Sequence, residues 1–240
     1  MLLDLFRSGF SRESIVSLIL FIPVILISLT VHEYCHGYAA YLCGDNTAKW
    51  NGRLTLNPIK HLDPIGTIMM LIFGFGYARP VPVNPRNFKN YKLGLCFVSV
   101  AGPLSNVLLA LIGMLALYAS AEINVNLMPA YFMDASSNLE TVWISFAINF
   151  IVANASLAVF NLLPIPPLDG SRIISAVLPA KLAYYYNKYE NYIMVAVLLL
   201  LYMNVLDGII YFLRDGLLTA LEWITELIPL FDFSSYFINF

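Results

Sequence analysis

Residues 15–43, IVSLILFIPVILISLTVHEYCHGYAAYLC, form an apolar run with a single charge, Glu33, set between His32 and His36. About 20 apolar residues in a helix rising 1.5 Å each cross the hydrocarbon core of a bilayer. The run is therefore long enough to span, and the rest of the chain agrees with a membrane setting. Of 240 residues, 60% are hydrophobic and 12% charged, and the mean hydropathy is +0.75. Thirteen Lys+Arg and 15 Asp+Glu are too few to coat a soluble domain of this size. A cytosolic or secreted globular enzyme, a disordered chain and a nucleic-acid binder are excluded, the last because a net charge of -2 offers no basic stripe. Three cysteines, Cys35, Cys43 and Cys96, imply no disulfide framework. The N-terminal run lacks the look of a cleaved signal peptide.

Three further runs reach spanning length: Leu93–Ala121, Val142–Leu163 and Tyr192–Leu213. A shorter one, Ile65–Ala78, is bounded by Pro64 and interrupted by glycines, which suits a half-helix or re-entrant segment. The expected fold is an all-α polytopic membrane protein with about four transmembrane helices, this short segment and a small β-hairpin or edge-strand region. The strand expectation rests on the alternation at Arg53-Leu54-Thr55-Leu56 and Val81-Pro82-Val83. Residues 1–240 read as one membrane-embedded domain, with a core at about 18–180 and a last span and interfacial tail at about 190–240. Lys49, Arg53 and Lys60, then Arg79, Arg86, Lys89 and Lys92, then Arg172, Lys181 and Lys188 fall in three inter-span regions, whereas Glu122–Thr141 carries only acids. The positive-inside rule places the basic regions in the cytoplasm, with Ile65–Ala78 leaving and re-entering on that side. The acid-bearing, aromatic tail Gly216–Phe240 suits the outer interface.

Chemistry concentrates in His32-Glu33-Tyr34-Cys35-His36. Positions i and i+4 share one helical face, so both imidazoles can reach one metal ion while Glu33 stands beside them. Imidazoles suit zinc, and a catalytic zinc takes three protein ligands plus an open position. Only three histidines occur in the chain, and ionisable groups at membrane depth are costly unless paired or functional. The third ligand is sought in Asn161-Leu-Leu-Pro-Ile-Pro-Pro-Leu-Asp169-Gly170, where prolines break the third span. Asp169 there is either a helix cap or the missing ligand; two histidines without a third partner favour the ligand. Asn106, Asn154 and Asn161 are candidate oxyanion or substrate-binding donors, although amides within spans more often bridge helices. Arg53, Leu54, Thr55 and Leu56 are candidates for an edge that pairs with an extended substrate, or an ordinary loop. His61, beside Asp63, reads as solvated or capping, Cys35 as a small packing residue, and Asp207 as either interior or interfacial.

The membrane HExxH and the later NLLPIPPLDG resemble the site-2 protease family of intramembrane zinc metalloproteases. Gly52-Arg-Leu-Thr-Leu-Asn-Pro58, Pro80-Val-Pro-Val-Asn-Pro85 and Ala101-Gly-Pro-Leu-Ser-Asn106 are similar to its short bacterial and archaeal members, in the expected order over residues 18–180. The resemblance implies one zinc per chain held by His32, His36 and Asp169, Glu33 as catalytic base, and cleavage of substrate transmembrane helices. An inserted PDZ module and a C-terminal CBS nucleotide-sensing domain are missing from this sequence, so regulation through them is not implied. The residues themselves lead to the same chemistry: a metal-activated water, with Glu33 as proton shuttle, in a site nearer the cytoplasmic face. Two alternatives remain. An ion-coupled transporter would show discontinuous helices in matching halves, and no internal repeat is evident. An inert metal-binding scaffold would have no use for a base beside the metal.

Overall fold

The computed structural model describes residues 12–73, 78–127 and 133–228. Among them every regular element is helical: α1 (Arg12–Leu42), α2 (Thr47–Trp50), α3 (Pro64–Phe73), α4 (Tyr91–Leu127), α5 (Met133–Leu162), α6 (Asp169–Val177), α7 (Ala180–Lys188), α8 (Glu190–Tyr202) and α9 (Asp207–Glu226). Single 3-10 turns occupy Pro58–Lys60 and Pro85–Asn87. Three stretches are apolar and long enough to cross a membrane: Leu18–Leu42, Tyr91–Ser120 and Val142–Leu162. Their outer faces expose Ile19, Ile22, Leu104, Leu108 and Ile112, the side chains that hydrocarbon rather than water would cover.

The expected fourth span, Tyr192–Leu213, is corrected: the chain leaves the helix at Met203–Leu206. Asn204 adopts φ 58°, and its N–H bonds Leu201 O at 3.0 Å while Val205 N bonds Leu200 O at 3.0 Å. That is a Schellman cap, which ends a helix by turning one residue left-handed. Asparagine tolerates that conformation better than most residues. Hydropathy over a window does not register a cap. Asp207 then opens α9 and is half-buried. Of the expected tail, 216–226 lies in α9 and residues 229–240 fall outside the described residues.

The expected β-hairpin is likewise absent among the described residues. Arg53–Leu56 is a bend whose backbone groups bond elsewhere: Arg53 N to Ala48 O at 2.9 Å and Thr55 O to His61 Nε2 at 2.7 Å. Alternation was a false guide because the polar side chains serve the loop: Arg53 Nη2 donates to Arg79 O at 2.6 Å and Thr55 Oγ1 accepts from Asn57 N. His61 is not solvated but buried, with 1% of its surface exposed. Asp63 is the cap, its Oδ1 accepting from Ile65 N and Gly66 N at the start of α3. With 10 residues, α3 is too short to span. Arg79 N bonds His61 O at 2.8 Å, so the chain on either side of the apolar segment meets at one level; residues 74–77 fall outside the described residues.

The bundle centre is α4, which packs against α1, α5 and α6. Ala39, Ala40, Phe88 and Val98 form one buried cluster, and Ala110, Met114, Ile151 and Leu221 another that seats α9 on α4 and α5. Small residues permit close approach: a Cβ on Gly113 would lie 3.0 Å from Ile151 and Phe150 side-chain atoms. Between the helices lie fully buried polar groups, Ser28, Asn106 and Asn154.

Candidate metal centre

Helical spacing places His32 and His36 one turn apart on the inner face of α1, both buried. Asp169 is the first residue of α6, immediately after the proline-rich break that ends α5. Gly170 makes that junction possible. A Cβ there would sit 2.3 Å from both Leu162 O and Leu163 O, so only glycine lets α6 start against the last carbonyls of α5.

Three atoms converge. His32 Nε2 lies 3.0 Å from His36 Nε2 and 3.2 Å from Asp169 Oδ2, and His36 Nε2 lies 3.1 Å from the same oxygen. The Nδ1 partners decide where one proton of each ring sits. His36 Nδ1 is 2.7 Å from Val98 O, a pure acceptor, so this nitrogen carries the proton. His32 Nδ1 is 2.6 Å from Asn106 Oδ1, and the Asn106 amide is oriented because its Nδ2 donates to Asn154 Oδ1 at 2.9 Å. Asn154 is oriented in turn, its Nδ2 donating to Phe150 O at 2.8 Å. A proton on each Nδ1 leaves both Nε2 atoms facing one carboxylate oxygen, and in the neutral tautomer these are three lone pairs converging on one point, a donor set that suits a shared cation.

The spacing suits zinc. Ligands about 2.0–2.1 Å from a tetrahedral ion stand roughly 3.3 Å apart, close to the three edges found here. Acceptors behind both imidazoles are the usual support for metal-bound histidine. Space is also kept open: a Cβ on Gly102 of α4 would fall 2.3 Å from His36 Nε2 and 2.7 Å from His32 Cε1. His32, His36 and Asp169 form the one cluster of metal-ligating side chains among the described residues.

The comparisons with known proteins agree with this geometry. The model of Peptidase family M50 matches residues 20–203, which takes in the whole cluster and most of the chain. The chain belongs to that family. As an M50 peptidase it is a zinc metalloprotease, and its three long apolar helices make it a multi-pass membrane protein. It is 48% identical over 168 residues to a protein of Bacillus subtilis named "Putative zinc metalloprotease YwhC", covering 70% of this chain and 73% of that one. It is 30% identical over 150 residues to "Putative zinc metalloprotease Rip2" of Mycolicibacterium smegmatis, and 30% identical over 149 residues to the Mycobacterium tuberculosis protein of that name. Each mycobacterial match covers 60% of this chain and 52% of the relative. No solved structure gives a significant match.

The remaining site candidates divide. Glu33 is half-buried beside the cluster, and its Oε2 accepts from Val81 N at 2.8 Å. Asn106 and Asn154 join α1, α4 and α5 through the hydrogen bonds just described. Asn161 lies apart from them, its Nδ2 donating to Leu157 O one turn back in α5. The bend at Arg53–Leu56 touches the site indirectly, since Arg53 grips Arg79 O two residues before the Val81 amide. Sequence reasoning missed Gly102, whose signal is a Gly-Pro pair inside a span, and Asp45. The Asp45 carboxylate is fully buried and accepts from Asn84 N and Asn87 Nδ2, each at 2.7 Å, and from Thr47 Oγ1 at 2.5 Å. Burial would raise its pKa, but these hydrogen bonds outweigh burial and hold it below the ordinary aspartate value. Asp45 thereby ties the end of α1 to the extended segment that carries Val81.

Proposed function

We propose that this M50 peptidase is an intramembrane endopeptidase that hydrolyses peptide bonds within or near transmembrane segments of membrane-protein substrates. His32, His36 and Asp169 hold one zinc ion, and Glu33 is the general base. The supporting observation is the convergence of His32 Nε2, His36 Nε2 and Asp169 Oδ2 between apolar helices of membrane-crossing length. When bound, zinc supplies a Lewis acid that makes water nucleophilic near neutral pH.

The protein residues account for the proton traffic. Val81 N–H occupies Glu33 Oε2 and so fixes the plane of the carboxylate. Oε1 is left to take the proton from the attacking water and to return it to the leaving amine. The Asn154–Asn106–His32 chain and the Val98 carbonyl hold the imidazoles by Nδ1, keeping each Nε2 lone pair aimed at the shared centre. His36 lies six residues before the end of α1, roughly 9 Å along the axis, and that end leads into Lys49 and Arg53. With basic loops on the cytoplasmic side, the site lies nearer that face and draws its water from there. The whole unit acts as one membrane domain, with its core at about 18–180.

The test is purified protein reconstituted with a model transmembrane substrate. Wild type carries stoichiometric zinc and cleaves. Glu33→Gln keeps the zinc and loses cleavage by about 10²-fold or more, the scale of general-base catalysis. Asp169→Ala loses the zinc. Full cleavage by Glu33→Gln would refute the assigned role.

A further inference from the structure

Behind α6, on the side away from the metal cluster, lies an open cavity of about 730 Å³, within the range of small-ligand sites. Its walls come from the Pro85 turn, the first turn of α4, α6, α7 and the start of α8. Two cations, Lys92 and Arg172, and one acid, Glu190, line it. The three side chains are exposed to this one space, and none of them makes an ion pair or hydrogen bond among the described residues. Asn187 adds an amide whose Oδ1 accepts from Ser175 Oγ at 2.9 Å, which leaves its Nδ2 as the donor, and Tyr91 and Tyr184 add ring faces.

The position of the cavity along the membrane normal follows from the helices that bound it. The apolar stretch Tyr91–Ser120 begins at one wall, and the apolar helix Glu190–Leu201 begins at another. Lys92 and Glu190 thus stand in the first turns of two helices that leave this level for the apolar region. Tyr91, Tyr184 and Tyr192 are exposed around it, as in an interfacial aromatic belt. A site at that depth is bathed by lipid headgroups on the side of the basic loops.

The charges narrow the occupant. Two cations with the Asn187 amide beside them suit a phosphate. Glu190 opposes a simple anion, and its carboxylate reaches into the same space: burial, and then Glu190, push the Tyr186 phenol above its ordinary value. A ligand that carries both a phosphate and an ammonium satisfies all three charges, and tyrosine faces attract the ammonium further. We propose that this cavity binds the headgroup of a zwitterionic phospholipid of the phosphoethanolamine type, with Lys92 and Arg172 on the phosphate and Glu190 on the ammonium. The inference requires a bilayer around Tyr91–Ser120 and does not depend on the protease reading. Because α6 also presents Asp169, an occupied cavity would brace the helix that carries that carboxylate.

Native mass spectrometry of the full chain in detergent tests it, with short-chain phosphatidylethanolamine, short-chain phosphatidylglycerol and soluble phosphoethanolamine titrated separately. Wild type takes up one phosphatidylethanolamine in preference to the other two. The double variant Lys92→Gln/Arg172→Gln binds it roughly 25-fold more weakly, about five-fold for each cation. Each single variant shows the smaller step and serves if the double variant misfolds, and Lys92→Arg retains binding. Glu190→Gln reverses the preference towards phosphatidylglycerol. Unchanged phosphatidylethanolamine binding in the double and single variants, or an unchanged lipid preference in Glu190→Gln, would overturn the proposal. So would soluble phosphoethanolamine binding as tightly as the lipid.

Discussion

Asn106 Oδ1 accepts a hydrogen bond from His32 Nδ1 at 2.6 Å across 74 positions of sequence. The contact joins α4 to the helix that carries both histidines, and it sets which ring nitrogen faces the centre. Removing such a support usually lowers metal affinity 10- to 100-fold. Asn106→Ala is expected to weaken zinc binding by about that factor in a chelator competition. Asn154→Ala, one hydrogen bond further back, loses less. Equal zinc affinity in wild type and Asn106→Ala would show that the ring is held by packing alone.

Gly102 keeps space open where the two imidazoles meet. In Gly102→Ala the new methyl group would stand 2.3 Å from His36 Nε2 and 2.6 Å from its Cε1. The imidazole must rotate away, so zinc content should fall well below one per chain. Gly113→Ala, whose nearest contacts are 3.0 Å, provides the comparison. It should lower thermal stability and keep the metal. A fully zinc-loaded Gly102→Ala protein would contradict the placement of α4 against the site.

Gly170 makes a different kind of contact, with backbone. Its Cβ would strike Leu162 O and Leu163 O at 2.3 Å, and carbonyls at a helix end yield less readily than a side chain. If Asp169 is the third ligand as proposed, Gly170→Ala should displace it and reduce zinc affinity at least ten-fold, no less than the loss of an outer-shell support. Gly208→Ala, with nothing within 4 Å, should leave zinc binding unaltered. Similar zinc affinities for the two variants would mean that α6 does not need its tight start.

Asp45 gives a pH signature. Its pKa in the folded protein lies below the ordinary value, so the carboxylate contributes stability that is complete above the unfolded pKa of about 3.9. That contribution fades as pH falls through the lower, folded value. Asp45→Asn should therefore cost about 1–3 kcal/mol at pH 7, the range for disturbing buried hydrogen bonds. The gap to wild type should shrink below roughly pH 4. Thermal unfolding of both proteins in detergent across pH 3–7 reads the difference, and a gap independent of pH would argue against an ionised Asp45.

Some of this is legible in the sequence. His32 and His36 lie one helical turn apart, where spacing alone dictates a shared face with Glu33 beside it. Asp169 was legible because Pro164, Pro166 and Pro167 cannot continue a helix. Other readings failed for equally local reasons. Tyr192–Leu213 has the hydropathy of a span, but a left-handed Asn204 ends its helix halfway. Arg53–Leu56 alternates like a strand, yet its backbone is bonded to Ala48 and His61, and a strand requires a neighbour that periodicity does not supply.

The sequence by itself determined a lipid-solvated helical chain with two imidazoles and a carboxylate on one turn, because composition and helical period are properties of neighbouring residues. Tertiary structure alone decided that Asp169 closes the triangle and that Asn106 and Val98 fix the ring protons. It likewise decided that Val81 holds Glu33 and that Gly102 leaves room at the centre. Each of these depends on distances between segments far apart in the chain. Such distances are set by how α1, α4, α5 and α6 pack, which no local pattern encodes.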